Sequence, residues 1–109
     1  MREAFSRLQT YKERAARVGV SGHREYNGGW HTAQDLGHLL TVSEAITRSG
    51  IERKESRGGH FRQDHPEKDP AYATFNISVR RGPDGTMQVL RVPIPAMPEE
   101  LRQVIEENK

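Results

Sequence analysis

The segment from Glu52 to Pro70, ERKESRGGHFRQDHPEKDP, holds five acids, five Lys or Arg and two histidines in nineteen residues. Such a set could bind a metal, activate a nucleophile, cradle a phosphate or dock against another surface. A metal needs ligands at matched spacing, typically a helical histidine pair three or four apart with a further ligand on the same face. His31 and His38 are seven apart, which on a helix separates their rings by ~10 Å. His60 and His65 bracket Asp64 in a stretch broken by glycine and proline, and His23 stands upstream. The expectation is no metal site. Ser56 precedes His60 by four residues, but ESRGGH lacks the G-x-S-x-G flanks of a nucleophile turn; Glu55 and Ser56 read as the end of a helix, and the glycines as its turn. SRGGH follows a helix instead of opening one, so it faces the negative pole, which is unsuited to phosphate. No catalytic residue and no site for FAD, NAD or ATP is read here. What remains is an ion-paired segment, since arginine's planar fork grips carboxylates and Gly58–Gly59 lets another backbone come close. On the residues alone, interleaved charges favour solvated surface over a specific interface.

Two helices must position this segment. Residues 1–19 carry Ala4, Leu8, Tyr11, Ala15 and Val18 at alternating spacings of four and three, a narrow seam. Glu3–Arg7 and Glu13–Arg17 support it at i,i+4, and Gly19 is placed to cap its end. A longer helix is expected over 30–56, with Asn27 as its N-cap and Thr32 with Asp35 as the alternative. Its apolar residues Ala33, Leu36, Leu39, Leu40, Val42, Ala45, Ile46 and Ile51 spread over more than one face. Glu44–Arg48 is expected on its outer side, and Gly50 marks a close approach. Two helices on a short link form an antiparallel hairpin, which wants a third element. The polar segment is set at 57–72. Alternation through Phe75, Ile77 and Val79, the turn GPDG and a resumed extended run predict a β-hairpin over 73–92. Pro98, Glu99 and Glu100 open a short helix over 98–108.

Composition bounds the class. The 109 residues suit one domain, and the absence of cysteine excludes disulfides and thiolate metal sites. No apolar run is long enough for membrane insertion, and the charged N-terminus is no secretory signal. Leu, Ile, Val and Phe together number 21, a thin supply for a chain that at best buries roughly 60–70% of its unfolded surface. The net charge is only +2, with both signs interleaved and no basic stripe of the kind nucleic-acid binding needs.

The order of residues in the polar segment is more specific than its composition. It resembles the C-terminal region of the succinate dehydrogenase/fumarate reductase flavoprotein subunit, with L-aspartate oxidase a more distant relative. In that family the last long helix ends in E-S-R-G-[AG]-H-x-R-x-D-[YF]-P-x-[RK]-D. Glu55, Ser56, Arg57, Gly58, Gly59, His60, Arg62, Asp64, Pro66, Lys68 and Asp69 occupy its positions, while His65 stands where an aromatic is usual. YKERAARVGV is similar to the end of the preceding family helix. The stretch from Tyr26 to His60 is similar to the final helix, and that from Asp69 to Pro95 to the strand and tail of actinobacterial-type members.

The resemblance implies a mainly α fold: a helical hairpin from a spectrin-like three-helix bundle whose first helix is absent, followed by a β-hairpin and a short helix. A fragment of a longer protein is the expectation. It also implies a parent that interconverts succinate and fumarate, with hydride passing between the dicarboxylate and the flavin and electrons leaving to an iron–sulfur subunit. FAD and the catalytic groups belong to the flavin-binding and capping domains, so this chain alone is expected to be inactive. Its implied place is cytoplasmic, at the inner face of the membrane through partner subunits. Glu55, Ser56, Arg57, Gly58, Gly59, His60, Arg62 and Asp64 then become docking candidates, with Arg57, His60 and Arg62 aimed at the flavin domain or the iron–sulfur partner. Rival readings are a free-standing helical interaction module without redox chemistry and, less in keeping with the charges, a nucleic-acid binder. If Arg57 only docks, Arg57→Ala leaves the helices intact and weakens assembly.

Overall fold

A computed structural model describes residues 1–108. Its elements are α1 (Arg2–Ala15), α2 (Gly28–Glu52), a 3-10 turn (Pro70–Ala73), β1 (Phe75–Arg81), β2 (Met87–Pro93) and α3 (Glu99–Glu107). The fold is mainly α with a two-stranded antiparallel hairpin. Helix α2 is its spine, with α1 packed on one side and both strands on another. The radius of gyration is 19.9 Å and the long axis 66 Å, whereas a compact chain of this length has a radius of about 13 Å.

Each element begins and ends for a local reason. Asn27 caps α2 as expected: its Oδ1 accepts from Trp30 N at 3.2 Å, and its Nδ2 donates to the carbonyls of Ser21 and His23, both at 2.9 Å. Thr32 is not the cap; its hydroxyl donates back to the Gly28 carbonyl. Helix α1 stops at Ala15 and not at Gly19, its last turn tightened by bonds from Arg17 N to Arg14 O and Val18 N to Ala15 O. Ala15 is also its last half-buried residue, so beyond it nothing holds the helix against α2. Arg17 lies beyond the end of the helix and the expected Glu13–Arg17 pair is not formed, whereas Glu3–Arg7 closes at 2.6 Å.

The seam of α1 is turned by one residue from the expected one. Phe5, Leu8, Gln9, Lys12 and Ala15 are the half-buried positions, and Tyr11 is exposed. Lys12 sits in the seam because its ammonium meets Glu44, which is buried. Glu44 therefore lies inward, not on the outer side of α2, and its carboxylate also accepts from Arg48 Nε at 2.6 Å. Arg48 in turn covers the Phe5 ring at 4.9 Å and donates to the Met87 carbonyl at 3.2 Å. One buried carboxylate thus ties α1 and β2 to α2. The two cations hold its pKa below the usual carboxylate value, against a burial effect that alone would raise it.

The hairpin pairs Phe75 with Pro93 through Arg81 with Met87. Its turn closes with Gly82 N donating to Thr86 O at 2.8 Å, and Gly85 takes a φ of +78°, the left-handed region glycine adopts freely. Phe75, Ile77 and Val79 are half-buried, as their alternation requires. Among the described residues, Leu40 and Tyr72 are the only large apolar side chains that are buried, while Leu39, Val42 and Ile46 lie open on α2. The apolar core is thus small and the spine keeps an uncovered stripe. Leu40→Ala is expected to cost about 2–5 kcal/mol in urea denaturation, whereas Ile46→Ser stays within about 0.5 kcal/mol; equal losses would contradict this division of α2.

Candidate functional site

The polar segment folds around the carbonyl end of α2. The helix ends at Glu52, four residues before the expected Ser56, because Arg53 turns extended. That end leaves carbonyls without helical partners, and one guanidinium collects three of them. Arg62 Nη1 donates to Gly50 O at 2.9 Å, Arg53 O at 3.0 Å and Ile51 O at 3.3 Å. Tyr72 Oη donates to the Glu52 carbonyl at 3.2 Å. A cation at this pole also matches the helix dipole. Asp64 holds the Arg62 fork from outside, through Nε at 2.9 Å and Nη2 at 2.5 Å, and Arg62 keeps the Asp64 carboxyl down at about 2.

Glu55 is the centre of the segment, with no exposed surface. Arg57 grips it bidentately, Nε at 2.8 Å and Nη2 at 3.0 Å, while Arg53 Nη1 and the Asp69 amide, at 2.9 Å, complete its shell. These donors favour the ionised form, Arg57 foremost, and lower its pKa from 4.5 to about 2 against the opposing effect of burial. Arg57 also donates to the Asp69 carbonyl, and the Asp69 side chain caps the 3-10 turn that delivers Tyr72. The Tyr72 ring lies under the guanidiniums of Arg53 and Arg91 at 5.6 and 5.5 Å, beside Phe75 at 5.2 Å.

Ser56 is also buried. Its hydroxyl donates to His65 O at 2.8 Å and accepts from Arg62 N at 2.9 Å, which commits it to loop structure and leaves no free nucleophile. Arg57 and His60 exchange backbone bonds of 2.8 and 3.0 Å across Gly58–Gly59. Gly58 has a φ of +58°, the glycine-first pattern of a tight two-residue hairpin. Gly59 has open space around it, and Phe61 beside this tip is 70% exposed. The His60 ring reaches back to the Arg53 carbonyl at 3.3 Å. Among the described residues no three metal-ligating side chains converge.

All eight candidates therefore come together at one end of α2, and most are engaged inside the chain. Sequence reasoning missed Arg53, Phe61 and Tyr72. Phe61 could have been noticed as an apolar residue stranded among charges. Tyr72 could have been noticed from the Asp69–Pro70 helix start just before it. Removing the charge at the centre tests this arrangement. The depressed Glu55 pKa contributes stability that is complete above 4.5 and is lost as pH falls towards about 2. Glu55→Gln should lower the thermal midpoint at neutral pH, and the gap to the parent chain should close across that acid window. A gap independent of pH would mean that the carboxylate's charge is not what matters.

Residues 1–104 match the family model described as the fumarate reductase flavoprotein C-term. The chain is 34% identical over 93 residues to the fumarate reductase flavoprotein subunit of Mycobacterium tuberculosis, covering 84% of this chain and 16% of that relative. It is 33% identical over 61 residues to the L-aspartate oxidase of Streptomyces coelicolor, or 56% of this chain and 10% of that one. The structure of Mycobacterium smegmatis Sdh1 in complex with UQ1 superposes with a TM-score of 0.86 at 35% identity, over 98% of this chain and 18% of that one. The chain thus spans less than a fifth of the length of these relatives. It belongs to the family of C-terminal domains of succinate dehydrogenase and fumarate reductase flavoproteins.

Proposed function

We propose that this chain is the C-terminal docking domain of a flavoprotein subunit that interconverts succinate and fumarate with FAD and passes electrons to an iron–sulfur subunit. It contributes no catalytic residue. Its docking groups are the Gly58–Gly59 tip with His60 and the exposed Phe61, held in place by Arg57 through Glu55 and presented to the flavin-binding and capping domains or to the iron–sulfur subunit. The observation that carries this reading is the burial of Glu55. A fully enclosed carboxylate holds a glycine tip and an exposed aromatic in one fixed geometry, which lowers the ordering cost of binding. Arg62 is a positioning residue in this scheme, since its fork is spent on α2 and Asp64.

The chain's own residues do not fit FAD. The glycine pair lies at the carbonyl pole of α2, which repels a pyrophosphate, and Arg57 and Arg62 already hold carboxylates. The flavin is assigned to the remainder of the subunit. Among the described residues no helix is long and apolar enough to cross a membrane, so the place at the inner, cytoplasmic face is assigned to partner subunits.

Arg57→Ala is a poor probe of docking, because it strips the fork from a buried carboxylate and disturbs the loop itself. Gly59→Trp is cleaner, since Gly59 has an ordinary φ and nothing within 4 Å of a Cβ built there. Built into a full-length flavoprotein carrying this domain, it should leave the domain's thermal midpoint unchanged. Assembly and succinate oxidation should fall at least about tenfold, as for loss of a central contact. Normal assembly of that variant would take the tip out of the interface.

A further inference from the structure

A cleft of about 780 Å³ opens between α1, α2 and the hairpin turn. Val42, Ala45, Val79 and Met87 give it apolar walls, and the Lys12–Glu44–Arg48 group lies in its lining. Arg80 and Arg81 also line it, so four cations face one carboxylate. Gln9 lines the cleft too, and its Nε2 is enclosed without a hydrogen-bond partner, a donor left wanting an acceptor. The complement is apolar on one face and acidic around it.

Helix α3 has that character. Leu101, Val104 and Ile105 share one face and are 55, 54 and 48% exposed. Glu99, Glu100, Glu106 and Glu107 surround them against a single base, Arg102. Among the described residues α3 packs on no other element. Its own chain carries it away from the cleft: β2 leaves at Met87 and runs to Pro93, about 20 Å along the strand, before the linker to α3 begins.

We propose that α3 of one copy occupies this cleft in a second copy, its apolar face against Val42, Val79 and Met87 and its glutamates against Arg80 and Arg81. A two-fold arrangement lets each copy give and receive a helix, the exchange of identical elements that makes dimers at low cost. This inference stands on the cleft and α3 alone and is independent of any redox role.

Sedimentation of the whole chain across the micromolar range tests it. A dimer is expected, dissociating at least about tenfold more readily in Leu101→Glu or Arg81→Glu. The Leu101→Glu chain should keep its helical circular dichroism, because α3 supports nothing else. With no native cysteine, Val42→Cys and Ile105→Cys chains can be mixed and treated with a bismaleimide, and a product joining the two chains is expected. A monomer at every concentration, a dimer indifferent to both substitutions, or cross-linking only within a doubly substituted chain would each overturn the proposal. The last outcome would make α3 a strap on its own body.

Discussion

A carboxylate removed from water is tolerated only when its charge and its lone pairs are answered by the protein. Glu55 is answered by two arginines and a backbone amide, and each donor comes from a different part of the polar segment. Arg53 is the first residue past α2, Arg57 opens the glycine tip, and Asp69 starts the 3-10 turn. One acid therefore fixes three points of a loop that has almost no apolar residue of its own. With those points fixed, Arg62 and Tyr72 reach the open carbonyls of α2, and the hairpin is delivered beside the helix it packs on.

The same solution recurs at mid-helix. Glu44 is buried with Lys12 and Arg48, and Arg48 reaches β2. A chain with so few large apolar residues joins its elements through charges that are paired and enclosed, with cation–ring contacts over Phe5, Tyr72 and Phe75. Such joints add less stability than their number suggests, since the cost of taking ions from water offsets much of their attraction. The apolar residues left over, Leu39, Val42 and Ile46 on α2 and Leu101, Val104 and Ile105 on α3, lie outside this framework. They form exposed apolar surfaces of the kind at which partners bind.

Much of this was legible beforehand. The Asn27 cap, the GPDG turn and the alternation of Phe75, Ile77 and Val79 are local signals, decided by groups a few residues apart. The motif from Glu55 to Asp69 carries the family resemblance, and the eight residues read from it lie together at one end of α2. Its inward role was hidden because the acceptors for Arg62 are main-chain carbonyls, which look alike at every position. The α1 seam was misread for a related reason. Lysine counts as an outward residue until a buried acid waits opposite, and Glu44 lies 32 positions away. Helix α2 was drawn too long because Arg53 to Ser56 suit a helix until Glu55 and Ser56 are claimed by the loop.

The direct test of the central claim is a carboxyl-carbon NMR titration of Glu55 in the intact chain, followed together with the amide of Asp69. A carboxylate enclosed by Arg57 and Arg53 should titrate near about 2, with the Asp69 amide moving in the same step. Titration at the ordinary value of 4.5, with the amide unmoved, would mean that Glu55 is not the joint on which the segment depends.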